Sequence, residues 1–171
     1  VSAVLELSYV TQTLFGLTDF DSGVTVNVGV IKGGVQPNVI TPLVEAWVDA
    51  RLPTTADAAR IDAAIKNLKP TLAGAKLEIT GGINRPPMEY TAGNAALWAQ
   101  AQAVGEALGL ALDHATVGGA SDGNTTSLFT PTLDGLGPVG AGAHAPHEML
   151  WTRPWLERCG LLTMLLLKPA N

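Results

Sequence analysis

Residues 23–34 read Gly-Val-Thr-Val-Asn-Val-Gly-Val-Ile-Lys-Gly-Gly, and residues 44–52 read Val-Glu-Ala-Trp-Val-Asp-Ala-Arg-Leu. In the first stretch Val24, Val26, Val28 and Val30 recur at every second position, which predicts one shared face. In the second, Val44, Ala46, Val48, Ala50 and Leu52 share a face opposite Glu45, Trp47, Asp49 and Arg51. Strict alternation with one polar side is the pattern of half-buried strands in an antiparallel sheet. A third stretch alternates in the same way, with Ala75, Leu77 and Ile79 set against Lys76, Glu78 and Thr80.

Outward from these strands the period changes to that of a helix. Residues 2–15 place Val4, Leu5, Leu7, Val10 and Leu14 on one broad stripe. Residues 55–68 carry Ile61, Ile65 and Leu68 at helical spacing, with Thr54 as N-cap, Asp57 three residues on and Pro70 past the end. The order to residue 82 is helix, strand, strand, helix, strand. One more strand in front completes βαββαβ, the ferredoxin-like sandwich. The expectation is therefore an α+β domain whose first strand is missing, in a chain that starts part-way into a longer protein.

Residues 83–93 contain Arg85-Pro86-Pro87, which blocks helix and central strand alike, and read as a linker. A helix bearing Leu97, Ala101, Val104 and Leu108 follows, then short apolar strands near 115–117 and 133–139, then a helix at about 154–168. Helices alternating with short apolar strands suggest an α/β layer, with the rest of its sheet elsewhere.

Composition excludes several classes. Of 171 residues, 47% are hydrophobic and 15% charged, against roughly 25% charged in an average soluble domain. Such a chain can bury a core and is not disordered. The net charge is −5 with no basic run, so the footprint of a nucleic-acid partner is missing. The apolar run Leu161–Leu167 falls well short of the ~20 residues that span a bilayer, so no membrane partner is expected. Cys159 alone forms no internal disulfide and leaves cytoplasm and periplasm equally open.

Chemistry-bearing residues concentrate in a few loops. His144, His147 and Glu148 follow a glycine-rich turn beginning at Gly140. Zinc takes three or four ligands, so this stretch contributes to a metal site but does not complete one. Gly118-Gly119-Ala120-Ser121-Asp122-Gly123 reads as a tight turn with Ser121 or Asp122 capping the next helix. A hydrolase pairing Ser121 with His144 is a further reading, although Gly-x-Ser-x-Gly is only half matched. Asn38 lies in the loop between two strands, Arg51 on a polar strand face, and Arg85 before the proline pair. Arginines near a cleft suit a carboxylate, while for Arg51 a cross-strand ion pair with Glu45 or Glu78 is the structural alternative.

These stretches resemble the M20 metallopeptidases, the group of glutamate carboxypeptidases, acetylornithine deacetylases and aminoacylases. The resemblance rests on Gly33-Gly34 through Asn38 to Pro42, on Asp49-Ala50-Arg51, on Gly118-Gly119-Ala120-Ser121-Asp122, and on Gly135 through His144 and Glu148. It implies a lid and dimerisation domain over residues 1–86 and the carboxy-terminal segment of an α/β zinc-peptidase catalytic domain over 87–171. It further implies two zinc ions, with His144 as one ligand and the other ligands and the general base upstream. Asn38 and Arg51 take catalytic positions facing the substrate or oxyanion, and Arg85 and Gly119 bind a substrate carboxylate. No role is implied for His147, and none is assigned to His114. The implied activity is metal-dependent hydrolysis of an amide or peptide bond in a substrate with a free carboxylate, by a homodimer. The 171 residues alone are expected to be inactive. The alternative is a non-catalytic ferredoxin-like module for dimerisation or small-ligand binding.

Overall fold

In the computed structural model, which describes residues 1–167, the two alternating stretches pair as an antiparallel hairpin, β1 (Thr25–Gly33) with β2 (Val44–Arg51). Val26 faces Ala50 and Val28 faces Val48, as the alternation predicts. The register then slips between Val28 and Val30, so that Val30 lies opposite Trp47 and Ile31 opposite Ala46. A one-residue bulge at Gly29 reverses the side on which every later residue points. Val30 therefore leaves the face of Val24, Val26 and Val28, which corrects the sequence expectation. On the outer face Lys32 comes to lie over Trp47, its Nζ 4.9 Å from the ring centroid.

Helices α1 (Ala3–Phe15) and α2 (Thr55–Lys66) cover the inner face. Leu14, Val24, Val26 and Ile61 form the core, with Val10, Leu17, Val28, Ala50, Leu52, Ile65 and Leu68 packed around them. The buried row of α1 differs from the expected stripe. Val4 and Leu5 are exposed, while Glu6 is buried on the side of Val10 and Leu14, one helical turn apart in each case. Glu6 is tolerated there because its two carboxylate oxygens accept the backbone N–H groups of Thr71 and Leu72, each at 2.8 Å.

Helix α2 starts as its sequence indicates. Thr54 Oγ1 accepts the Asp57 N–H at 3.0 Å and donates to the Asp57 carboxylate at 2.6 Å. That hydroxyl bond, followed by the bond from Arg60, holds the Asp57 carboxyl below its usual 3.8. A carboxyl depressed on folding adds stability above its unfolded value, lost as pH falls through the folded value. Helix content followed by circular dichroism from about pH 5 to about pH 2 should show this loss, and Thr54→Ala should remove about 1 kcal/mol of stability at neutral pH.

The third alternating stretch does not form a strand. Ala75 and Leu77 are half-buried and Lys76 and Glu78 exposed, but Ile79 is exposed too, so the alternation survives only to residue 78, and residues 75–80 carry no ladder. Which way side chains point belongs to one segment, whereas a ladder needs a second. No described residue supplies that partner.

The chain divides into two units, Val1–Glu89 and from Tyr90 on. In the second, α3 (Ala92–Ala107) is capped by Thr91 and buries Ala101 and Val104. Its buried Asn94 accepts the Thr132 N–H at 2.8 Å, and Gly93 lies so near Pro131 that a Cβ would come within 2.7 Å of it. The expected strands near 115–117 and 133–139 are absent. Strands of the α/β kind are held by neighbours on both edges, and no described residue pairs with these. A short ladder instead joins β3 (Gly140–Ala141) to β4 (Met149–Leu150). A four-residue turn of helix, α4 (Gly123–Thr126), precedes it, and α5 (Thr152–Leu167) follows. The expected last residue of that helix, 168, lies outside the described residues.

Candidate functional site

The loop between β1 and β2 holds Asn38 in a turn. Gly34 turns the chain at φ +89, and the Val39 N–H donates to the Gln36 carbonyl at 3.1 Å. Pro37 and Asn38 are thus the two central residues of a β-turn, with proline at the position its fixed φ favours. The far side of the loop is pinned to α1, whose Ala3 N–H donates to the Thr41 carbonyl at 2.9 Å. Asn38 itself is exposed.

Arg51 lies at the other end of the hairpin, as the last residue of β2, opposite Thr25. From Val44 to Arg51 the strand rises about 23 Å, so Asn38 and Arg51 do not meet within the hairpin. The cross-strand ion pair considered for Arg51 is not formed. Its Nε approaches Asp49 on the same strand face at 3.7 Å, with both side chains largely exposed. Such a pair adds little stability. Arg85 is exposed in the segment after residue 80 and belongs to the same unit.

The second unit holds the other two candidates. Gly119 is exposed, and a Cβ there would meet nothing within 4 Å, so crowding does not demand glycine. Ser121 is occupied in shaping the turn. Its Oγ accepts the Gly123 N–H at 2.9 Å and its hydroxyl donates to Asp134 at 2.6 Å. The capping role expected of this Ser-Asp pair therefore falls to Ser121, since Asp122 makes no side-chain cap bond.

His144 is singular among the described residues in having a positive φ, +65, without being glycine. The Ala145 N–H donates to the Gly142 carbonyl at 2.8 Å, which places His144 third in a tight turn between β3 and β4. A side chain in the left-handed region costs energy and persists where the surroundings impose it, often at functional positions. Here the surroundings are Gly142, at φ +72, and His147, whose imidazole packs so near Gly142 that a Cβ would lie 2.8 Å from its Cδ2. His147 thus braces the turn that presents His144, a function its sequence position did not disclose. His144 is exposed. His114 is used differently, stacked against Tyr90 at 5.3 Å and tilted against Trp98 at 5.1 Å.

Residues 1–76 match the family of the M20 peptidase dimerisation domain. Over those residues the chain is similar to an M20 peptidase dimerisation domain. No curated protein matches the chain. The M20 dimerisation domain is a ferredoxin-like α+β fold, and the helix, hairpin and helix α1–β1–β2–α2 are its elements here. Asn38 and Arg51 fall inside the M20 match, whereas Arg85, Gly119 and His144 fall beyond it. M20 enzymes typically use zinc. Among the described residues no group of three or more His, Cys, Asp and Glu side chains is gathered to hold a metal ion. One exposed imidazole does not fit a zinc ion without further ligands.

Proposed function

We propose that this chain supplies the lid and dimerisation domain and the carboxy-terminal catalytic segment of an M20 zinc hydrolase, a carboxypeptidase or N-acyl amino acid deacylase acting as a homodimer. The observation that carries the reading is the M20 match over residues 1–76, and the forced conformation of His144 is consistent with it. Asn38 donates its amide to the oxyanion that forms on the attacked carbonyl. Arg51 adds a positive charge on the substrate side of the lid. Arg85 forms a bidentate pair with the free carboxylate of the substrate, assisted by the Gly119 N–H. Zinc, if held by His144 together with further ligands, would supply polarisation of the carbonyl and a more acidic water. Among the described residues His144 is the ligand proposed for it, and what the chain's other site residues do is bind, orient and stabilise charge.

The test is metal analysis of the intact enzyme alongside the 171-residue chain. Two zinc ions per chain in the enzyme, with none held tightly by the 171 residues and no cleavage of N-acyl-glutamate by them, is the expected result. An intact protein free of zinc would overturn the reading in favour of a non-catalytic dimerisation module.

A further inference from the structure

The end of the first unit is held to the start of α2. The Thr55 N–H, at the first position of α2, donates to the Glu89 carboxylate at 2.5 Å. The first-turn N–H groups of a helix have no partner within the helix, and the helix end favours negative charge, so a carboxylate there is well placed. Pro86, Pro87, Met88 and Glu89 are half-buried, whereas Tyr90 is 64% exposed. Thr91 already caps α3, and the Tyr90 ring stacks on His114, both in the second unit. The allegiance of the chain therefore changes at the Glu89–Tyr90 bond.

We infer that Glu89 is a positioning residue, fastening the Arg85 segment to the start of α2 so that Arg85 is carried by the dimerisation domain. Arg85 is four residues from the anchor, within about 14 Å along a fully extended chain. Two of the intervening residues are prolines, whose fixed φ stiffens that short span. The backbone and side-chain bonds from Thr55 also hold the Glu89 carboxyl below its usual 4.5, as a carboxylate accepting hydrogen bonds should be. The functional half of the inference rests on the proposed role of Arg85 as carboxylate clamp. If both hold, Asn38, Arg51 and Arg85 move as one body, and a substrate carboxylate is gripped by the same unit that stabilises the oxyanion.

The two halves are tested separately. In the 171-residue chain, hydrogen exchange should quicken about tenfold at the Thr55 amide in Glu89→Ala, the scale of one charge-assisted hydrogen bond. Exchange in residues 82–89 should quicken with it, while β1 and β2 are unchanged. Equal exchange in variant and parent overturns the anchor. In the intact enzyme, Glu89→Ala should raise KM for a carboxylate-bearing substrate about tenfold with kcat within about twofold. Glu89→Gln, which keeps an acceptor oxygen, should recover much of it. A raised KM in Arg85→Ala with none in Glu89→Ala overturns the inference and leaves the proposed function standing. An unchanged KM in Arg85→Ala overturns the clamp itself and the functional half with it, and the exchange result then judges the anchor alone.

Discussion

Glu6→Ala is expected to destabilise the first unit by about 1–3 kcal/mol, because two part-buried backbone N–H groups lose a charged acceptor together. Glu6 is 3% exposed, whereas Thr71 is exposed and Leu72 half-buried, so water restores part of what the two amides lose. The loss is a large share of the 5–15 kcal/mol typical of a whole domain. Urea unfolding at neutral pH, followed by circular dichroism, gives the measurement. Glu6→Gln separates charge from geometry, since one amide oxygen can keep only one of the two bonds, and its loss should be intermediate. An alanine variant within about 0.5 kcal/mol of the parent would mean that the two amides find other partners.

His144→Gly should have the opposite profile, with little change in stability and a large change in activity. At φ +65 a histidine bears a cost of about 1 kcal/mol that glycine avoids. Glycine gives most of that back through the greater freedom of its unfolded chain, so the net is within about 1 kcal/mol of zero. Activity of the intact enzyme should fall about 10³-fold or more, as when one member of a reacting set is removed, and zinc content should fall with it. Thermal unfolding and metal analysis on the same preparation decide the matter. Full activity in a stable His144→Gly enzyme would remove His144 from the site.

The features read from the sequence are those whose cause is local. Thr54 and Asp57 are three residues apart and cap α2 as their spacing indicates, because no distant residue is needed. The valines of β1 announce a strand for the same reason. Glu6 was not legible as a core residue, since its acceptors' partners lie some 65 positions along the chain and a carboxylate in an apolar stripe reads as solvent-facing. Val30 was misassigned because a bulge adds a residue without altering the alternation of valines that announces the strand. Residues 75–78 alternate as expected, Ile79 is exposed against expectation, and the stretch makes no ladder. The glycine-rich turns around Asn38 and His144 are legible in the sequence as turns, but their bracing is not. His147 looked idle beside His144, and only the turn geometry shows it packed on Gly142.

The slip at Gly29 also sets the chemistry of the hairpin's outer surface. By shifting the phase of the second half of β1, it brings an ammonium group above the Trp47 indole and sets Ile31, rather than Val30, opposite Ala46. Deletion of that single glycine would therefore straighten the ladder while Val30, Ile31 and Lys32 kept their present partners, and the ammonium would stay above the indole. Replacing the bulge by a regular pairing of all the residues of β1, by contrast, would put the lysine on the other side of the hairpin.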